Sequence, residues 1–195
     1  QTAMSLWKNG LLDPDAALAN ATTEDEAQAA RIYRSYVATL SAYQAVDFDD
    51  LIRLPVELFR SKEEVRDKWQ RKLRYLLVDE YQDTNHAQYI LVRELTGSLE
   101  DGTPPAELCV VGDADQSIYG FRGATIRNIL QFEVDYPNAA TVLLEQNYRS
   151  TQNILNAANA VITKNESRKE KNLWSDAGSG APLVGYVAES EYDEA

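Results

Sequence analysis

The sequence predicts an α/β fold built around a parallel sheet. Three short apolar runs, Tyr75–Val78, Leu108–Val111 and Thr141–Leu144, have the length and composition of buried strands. Segments in which apolar residues recur at helical spacing alternate with these runs. Such alternation is typical of parallel strands joined by right-handed crossovers. We therefore expect one sheet with helices packed against it.

Helix signals precede the first strand. Thr23 and Glu26 have the spacing of a capping box, and a second such pair, Ser61 and Glu64, predicts the start of a basic helix that leads into the strand. Between them, Pro55 should kink or interrupt a helix, because proline lacks an N–H and clashes with the preceding turn.

Further elements follow the first strand. Thr84 is expected to cap a helix that ends at Gly97, and Ser150 is expected to cap another after the third strand. Near the end of the chain, Leu183–Ala188 is a further strand candidate.

Composition limits the functional classes. The 195 residues are 44% hydrophobic and 26% charged, which is typical of a globular α/β unit with appendages. No apolar run approaches the length of a membrane span, so we expect a cytoplasmic protein without membrane contact. Cys109 lies in an apolar run and is predicted to be a small core residue. The net charge of −12 argues against binding of nucleic acid through bulk positive charge, so any such contact must be local.

An acidic pair follows the first strand. In open α/β sheets ligands bind beyond the carboxyl ends of strands, which is where Asp79 and Glu80 lie. One carboxylate could hold Mg²⁺ while its neighbour acts as a base on water. The alternative is a solvated acidic pair that only ends the strand.

Two other strand ends carry residues suited to a nucleoside triphosphate. Gln116 could hold an attacking water or a terminal phosphate, and Arg149 offers a planar cationic fork for phosphate oxygens. Taken singly, each could equally be an ordinary surface residue.

Aromatic residues mark the loop between these two positions. Tyr119, Phe121 and Arg122 lie among glycines and could stack on unpaired bases. The alternative is that the two rings pack the loop onto its own domain.

Together the motifs resemble the superfamily 1 DNA helicases of the UvrD, Rep and PcrA group. Asp47-Phe-Asp-Asp-Leu51 resembles the segment that enters the first motor domain, and Val78-Asp-Glu-Tyr-Gln-Asp-Thr84 resembles motif II, the Walker B element. Val111–Ala124 and Leu144–Ser150 resemble motifs III and IV. The resemblance implies a partial RecA-like P-loop NTPase motor domain with a parallel sheet, together with a helical segment of an inserted subdomain.

The resemblance also implies residue roles for ATP hydrolysis. Asp79, with Glu80, would hold Mg²⁺, and Glu80 would activate the hydrolytic water. Gln116 and Arg149 would sense the γ-phosphate, and Tyr148 would stack on adenine.

Motif III would bind single-stranded DNA. Tyr119, Phe121 and Arg122 would face the strand, so that ATP hydrolysis is coupled to movement along it. Many members of the group carry Trp at the position of Phe121, and Phe offers a smaller stacking area without an indole donor.

One expected element is absent from the sequence: no stretch has the form G-x-x-x-x-G-K-[ST] of a phosphate loop. We therefore expect an internal fragment of a 3′ to 5′ helicase that is inactive alone. Residues 1–46 would be the tail of the inserted helical subdomain, 47–147 the later part of the first motor domain and 148–195 the start of the second.

The parent helicase would bind single-stranded DNA, single/double-strand junctions and proteins of repair or replication. Two alternatives stay open: the helicase part of a helicase-nuclease, and a non-catalytic module that binds single-stranded DNA.

Overall fold

The computed structural model describes residues 2–98, 105–165 and 170–194, without the side chains of Arg122 and Glu194. The chain divides into two compact units, residues 1–137 and 138–195. Within the described part, no helix is long and apolar enough to cross a membrane.

The first unit is mainly helical around a small sheet. Its helices are α1 (Thr2–Asn9), α2 (Pro14–Ala19), α3 (Glu24–Ala42), α4 (Asp50–Ser61), α5 (Glu63–Lys72), α6 (His86–Thr96) and α7 (Arg127–Asp135). Its strands are β1 (Tyr75–Val78) and β2 (Glu107–Val110).

The two strands pair in parallel, as predicted. Tyr75 lies opposite Glu107 and Val78 opposite Val110. The hydrogen bonding continues past the strand ends, because the Val111 N–H donates to the Val78 carbonyl at 2.8 Å. The first two predicted strands are confirmed, and both carboxyl ends lie at one edge of the sheet.

The third predicted strand is wrong. Thr141–Leu144 and Leu183–Ala188 form no strand, and the sheet has two strands within the described residues. An apolar run becomes a strand only when its backbone groups pair with a neighbouring strand. Val142 and Leu144 are each 75% exposed, so burial does not hold this run in place either.

The expected burial of the first two strands is also wrong. Exposed and half-buried residues alternate along both strands, and Tyr75 and Leu77 are exposed. Cys109 is exposed as well, which contradicts its assignment to the core. Residues two apart in a strand share one face, so a two-stranded sheet covered on one side leaves the other face open.

Helix ends follow the sequence in part. The capping box of Thr23 and Glu26 is present. Pro55 does not interrupt α4, in which Val56 and Phe59 are buried, so tertiary packing outweighs the missing hydrogen bond. Asn85, and not Thr84, caps α6 through a reciprocal bond with Gln88.

The second expected capping box does not form. Ser61 is the last residue of α4, and its hydroxyl donates to the Leu58 carbonyl instead of capping α5. Ser and Thr hydroxyls bond readily to a nearby carbonyl, so the spacing alone does not fix a cap.

A cluster of buried apolar residues packs α1, α2 and α3 together. Ala17, Ala30 and Tyr33 are its fully buried members, and Trp7 stacks on Tyr33 with ring centroids 5.9 Å apart. The Tyr33 hydroxyl donates to the Leu12 carbonyl at 3.2 Å, which satisfies its one polar group. Burial raises the pKa of Tyr33 to about 12.

A buried charge cluster joins α1 to the start of α4. The Lys8 ammonium, 1% exposed, lies 2.7 Å from Asp47 and 2.9 Å from Asp50, and Arg53 binds Asp50 at 3.0 Å. Burial acts to raise the pKa of Asp47, but hydrogen bonds from Lys8, the Asp50 N–H and Tyr36 lower it overall. The cluster fixes the turn of residues 47–50 against α1.

The second unit contains α8 (Gln152–Ile162) and α9 (Glu191–Glu194). Residues 145–147 pair with Trp174, whose carbonyl accepts from Asn147 N at 2.7 Å. Thr151 stands at the N-cap of α8, where Ser150 was expected. Leu155 is buried at the base of this helix.

Removal of the Lys8 charge should destabilise the chain strongly. We expect Lys8→Met to lower the free energy of unfolding by an amount at the lower end of about 3–5 kcal/mol, since Asp50 keeps Arg53 as a partner. Urea denaturation of the 195-residue chain measures this change. The matched control is Arg31→Met, which breaks an exposed pair with Glu24 and should cost at most about 1 kcal/mol. Equal losses in both variants would contradict the assigned role of Lys8.

Candidate functional site

Strand β1 leads directly into a strained acidic turn. Asp79 and Glu80 follow Val78 and are both exposed. Glu80 has φ 49° and lies in the left-handed region, which costs a non-glycine residue about 1–2 kcal/mol. The Asp79 carboxylate partly compensates by accepting from Glu80 N at 2.9 Å. Strain of this kind is common at functional sites and supports a role for the turn.

The following 3-10 turn, Tyr81–Asp83, is buried in its first two residues. The Tyr81 ring is fully buried and packs edge-on against Phe132 of α7 at 5.7 Å. The Gln82 side chain, 1% exposed, donates to Glu80 Oε2 at 2.8 Å and accepts from Asp113 N at 3.0 Å. This single amide therefore touches both strand ends.

The second strand end passes very close to the first. Tyr81 N–H donates to the Val111 carbonyl at 3.0 Å. At Gly112, an added Cβ would lie 2.7 Å from Gln82 Oε1 and 3.1 Å from Tyr81 N. Glycine is therefore required here for the approach of the two backbones, whatever its backbone angles.

A second 3-10 turn, Ala114–Gln116, follows Gly112. Asp113 organises it, since its carboxylate accepts from Asp115 N at 3.0 Å and from Gln116 Nε2 at 2.8 Å. A glutamine amide has two N–H groups, so the second remains for a phosphate oxygen or a water. The structure thus brings Glu80 and Gln116 to neighbouring turns at the same edge of the sheet.

The predicted aromatic loop lies on the wall of a cavity of about 1050 Å³. Tyr119 and Phe121 both line this cavity, with ring centroids 6.0 Å apart. Phe121 is 71% exposed and Tyr119 is 37% exposed, so both rings are at least partly accessible. Arg122 belongs to the 3-10 turn Gly120–Arg122, but its side chain lies outside the described part of the chain.

Phe48 is a member of this cavity that the sequence analysis missed. It lines the same cavity, together with Leu6 and Tyr36, and is 90% exposed. The buried cluster of Lys8, Asp47 and Asp50 holds its turn. An aromatic residue between acidic residues at a helix start is the signal that could have found it.

The cavity wall is aromatic and acidic. Among the described side chains, three carboxylates (Asp47, Asp49 and Asp83) and one ammonium (Lys8) line it. Carboxylates repel phosphates, whereas planar groups can stack on the rings without a cation. The described part of the lining is therefore better suited to stacking than to binding phosphates.

The second unit carries the other two predicted residues. Tyr148 is 85% exposed, and its hydroxyl donates to Gln146 Oε1 at 2.9 Å. Arg149 is exposed, and its backbone N–H donates to Asn147 Oδ1 at 2.9 Å. Both side chains are accessible to a ligand of this unit.

The acidic turn fits a magnesium ion that a nucleotide brings with it. Among the described residues, no group of three or more potential metal ligands is present. Mg²⁺ usually takes one or two carboxylates, several waters and substrate phosphates, so a dedicated cage is not required. Asp79 is exposed and uses Oδ1 for the Glu80 N–H, so that Oδ2 can serve as a ligand.

The chain matches two helicase domain families. Residues 1–137 match the UvrD/REP helicase N-terminal domain, and residues 142–195 match the UvrD-like helicase C-terminal domain.

Individual relatives agree with this match. The chain is 59% identical over 197 residues to ATP-dependent DNA helicase UvrD1 of Mycobacterium tuberculosis. The matched region covers 99% of this chain and 26% of the relative. It is 52% identical over 188 residues to ATP-dependent DNA helicase PcrA of Leuconostoc citreum, with 96% and 24% covered. The corresponding PcrA of Staphylococcus epidermidis is 50% identical over 193 residues, with 99% and 26% covered. The chain thus spans about a quarter of the length of these relatives.

Gly112 should not accept a side chain. We expect Gly112→Ala to lower the free energy of unfolding by about 1–3 kcal/mol, because the new Cβ would press on a buried, hydrogen-bonded amide and on backbone. Gly120→Ala is the matched control, since nothing lies within 4 Å of its added Cβ, and it should change stability by at most about 0.5 kcal/mol. Thermal denaturation of both variants measures the difference. An unchanged Gly112→Ala protein would mean that the two turns are not held this closely.

Proposed function

Because the chain belongs to the UvrD/REP helicase family, we propose that it forms part of an ATP-dependent DNA helicase that moves along single-stranded DNA. The observation that carries this proposal is the pairing of β1 with β2. This pairing places Glu80 beside the turn that bears Gln116. The loop that contains this turn continues to Tyr119 and Phe121, which line the cavity. Residues 112–121 would then link the proposed hydrolysis site, through Gln116, to the proposed base-binding surface, through Tyr119 and Phe121.

The residues of the acidic turn would divide the chemistry of hydrolysis between them. Asp79, assisted by Glu80, would hold Mg²⁺, which supplies charge neutralisation for the phosphate oxygens of bound ATP. Glu80 would take the proton from the attacking water, and Gln116 would orient that water or the γ-phosphate through its remaining amide N–H. In the second unit, Arg149 would bind phosphate oxygens and Tyr148 would stack on adenine.

The aromatic cavity would bind unpaired bases. Tyr119, Phe121 and Phe48 all line it, with Arg122 next to Phe121 in the sequence. Base stacking contributes about 1–3 kcal/mol per base and tolerates any sequence, which suits a protein that moves along a strand.

We also propose the wider assignment. Residues 47–147 would form the later part of a RecA-like motor domain, residues 1–46 would be the tail of an inserted helical subdomain, and residues 148–195 would open a second motor domain. The complete helicase would move 3′ to 5′, act on single/double-strand junctions in the cytoplasm, and serve DNA repair or replication. The names of the relatives, ATP-dependent DNA helicases UvrD1 and PcrA, support the helicase part of this assignment.

Glu80→Gln in the complete helicase should abolish turnover while ATP still binds. The amide keeps the shape of the side chain but cannot accept the proton, so we expect the DNA-stimulated kcat to fall by at least about 100-fold. Steady-state ATP hydrolysis and fluorescent-nucleotide binding measure the two effects. Glu107→Gln is the control, because this carboxylate is exposed on the neighbouring strand, and it should retain turnover. Wild-type hydrolysis by Glu80→Gln would remove Glu80 from the role of base.

Loss of a ring from the cavity should weaken binding of single-stranded DNA. We expect Phe48→Ala and Phe121→Ala in the complete helicase each to cost about 1–3 kcal/mol of binding free energy. Fluorescence titration with a labelled oligonucleotide measures the affinity. Tyr43→Ala is the control, since Tyr43 is 79% exposed but does not line the cavity. Unchanged affinity in both Phe variants would place the DNA elsewhere.

A further inference from the structure

We propose that Gln82 is a positioning residue that fixes the carboxylate of Glu80 relative to the turn bearing Gln116. This inference rests on the proposed function, because it assigns a role towards the same hydrolysis site. It starts from the deep burial of Gln82, which is 1% exposed although Glu80 and Gln116, the two side chains that it connects, are both exposed. A buried amide costs free energy unless its polar atoms are hydrogen-bonded.

The orientation of this amide follows from its partners. Its Nε2 lies 2.8 Å from Glu80 Oε2 and 3.3 Å from Asp83 Oδ2, and ionised carboxylates can only accept hydrogen bonds. Its Oε1 lies 3.0 Å from the Asp113 N–H, which can only donate. No other orientation of the carboxamide satisfies all three contacts.

The contacts form a continuous chain between two functional side chains. Glu80 binds the Gln82 amide, which binds the backbone of Asp113, whose carboxylate binds Gln116 Nε2 at 2.8 Å. The Ser117 hydroxyl also donates to the backbone carbonyl of Gln82 at 3.4 Å. The Glu80 side chain is exposed, and its backbone lies in the left-handed region. Because little else packs around an exposed side chain, a single rigid neighbour has a large effect on where the Glu80 carboxylate lies.

The backbone at Gly112 also holds the Gln82 side chain in place. Gly112 lies so close to Gln82 Oε1 that a Cβ would displace the amide. The end of the strand that precedes Asp113 therefore packs directly against the Gln82 amide. A residue that only filled space would not require this combination of three matched hydrogen bonds and a glycine.

The test is a comparison of glutamine substitutions in the complete helicase. Gln82→Met keeps the volume and removes every side-chain hydrogen bond. Gln82→Glu keeps the acceptor for the Asp113 N–H but loses the donors and faces two carboxylates. The matched control is Gln70→Met, because Gln70 is 3% exposed and donates to the Glu94 carbonyl at 2.8 Å, away from the acidic turn.

We expect both Gln82 variants to lower kcat for DNA-stimulated ATP hydrolysis by about 10- to 100-fold, the range for losing a residue that orients a metal ligand. The KM for ATP and the Kd for single-stranded DNA should stay close to those of the wild type. The Tm should fall in the Gln82 variants and in Gln70→Met alike, because each substitution leaves a buried polar group unpaired, so kcat is measured well below the lowest Tm. Gln70→Met should leave kcat unchanged, whereas a structural role alone would lower kcat in step with the Tm in all three variants.

The inference is overturned if either folded Gln82 variant keeps kcat within about twofold of the wild type. It is also overturned if Gln70→Met loses as much kcat as Gln82→Met. The failure of the proposed function has a different signature: the wild-type helicase would then show no DNA-stimulated hydrolysis, and the inference would fall with it.

Discussion

The parallel pairing of β1 with β2 is the constraint on which the candidate site depends. Its register places Val78 opposite Val110, and two further bonds, Val111 N to Val78 O and Tyr81 N to Val111 O, carry the pairing past the strand ends. A register slip of one residue would turn every side chain to the other face of the sheet. The pairing therefore decides that the acidic turn and the loop of residues 112–117 meet, although 31 residues separate Gln82 from Asp113.

Two buried polar side chains hold the turns that follow the paired strands in fixed positions. Gln82 joins the two turns, and Asn128 of α7 donates to both oxygens of Thr84, which anchors the same segment from behind. The Lys8 ammonium likewise holds the turn that contains Phe48. Buried polar groups of this kind must find specific partners, so they fix geometry more sharply than apolar contacts do. The acidic turn and the turn that contains Phe48 are therefore both held by buried polar groups.

Much of this architecture could be predicted from the sequence, but only where local signals decide it. β1, β2 and the cap at Thr23 follow from composition and spacing. Thr141–Leu144 has the same composition but forms no strand, since pairing depends on a partner and not on the run itself. The exposure of Cys109 and the presence of Phe48 and Phe121 in the lining of one cavity depend on tertiary packing, which no periodicity encodes.

The charge of the chain limits how the cavity can hold a nucleic acid. With a net charge of −12, and with Lys8 already paired to Asp47 and Asp50, the first unit has no ammonium in the described cavity lining to spare for phosphates. Stacking on Phe48, Tyr119 and Phe121 needs none. On the proposed function, bases would therefore meet the cavity through these rings, and contacts to phosphates would come from cations outside the described lining.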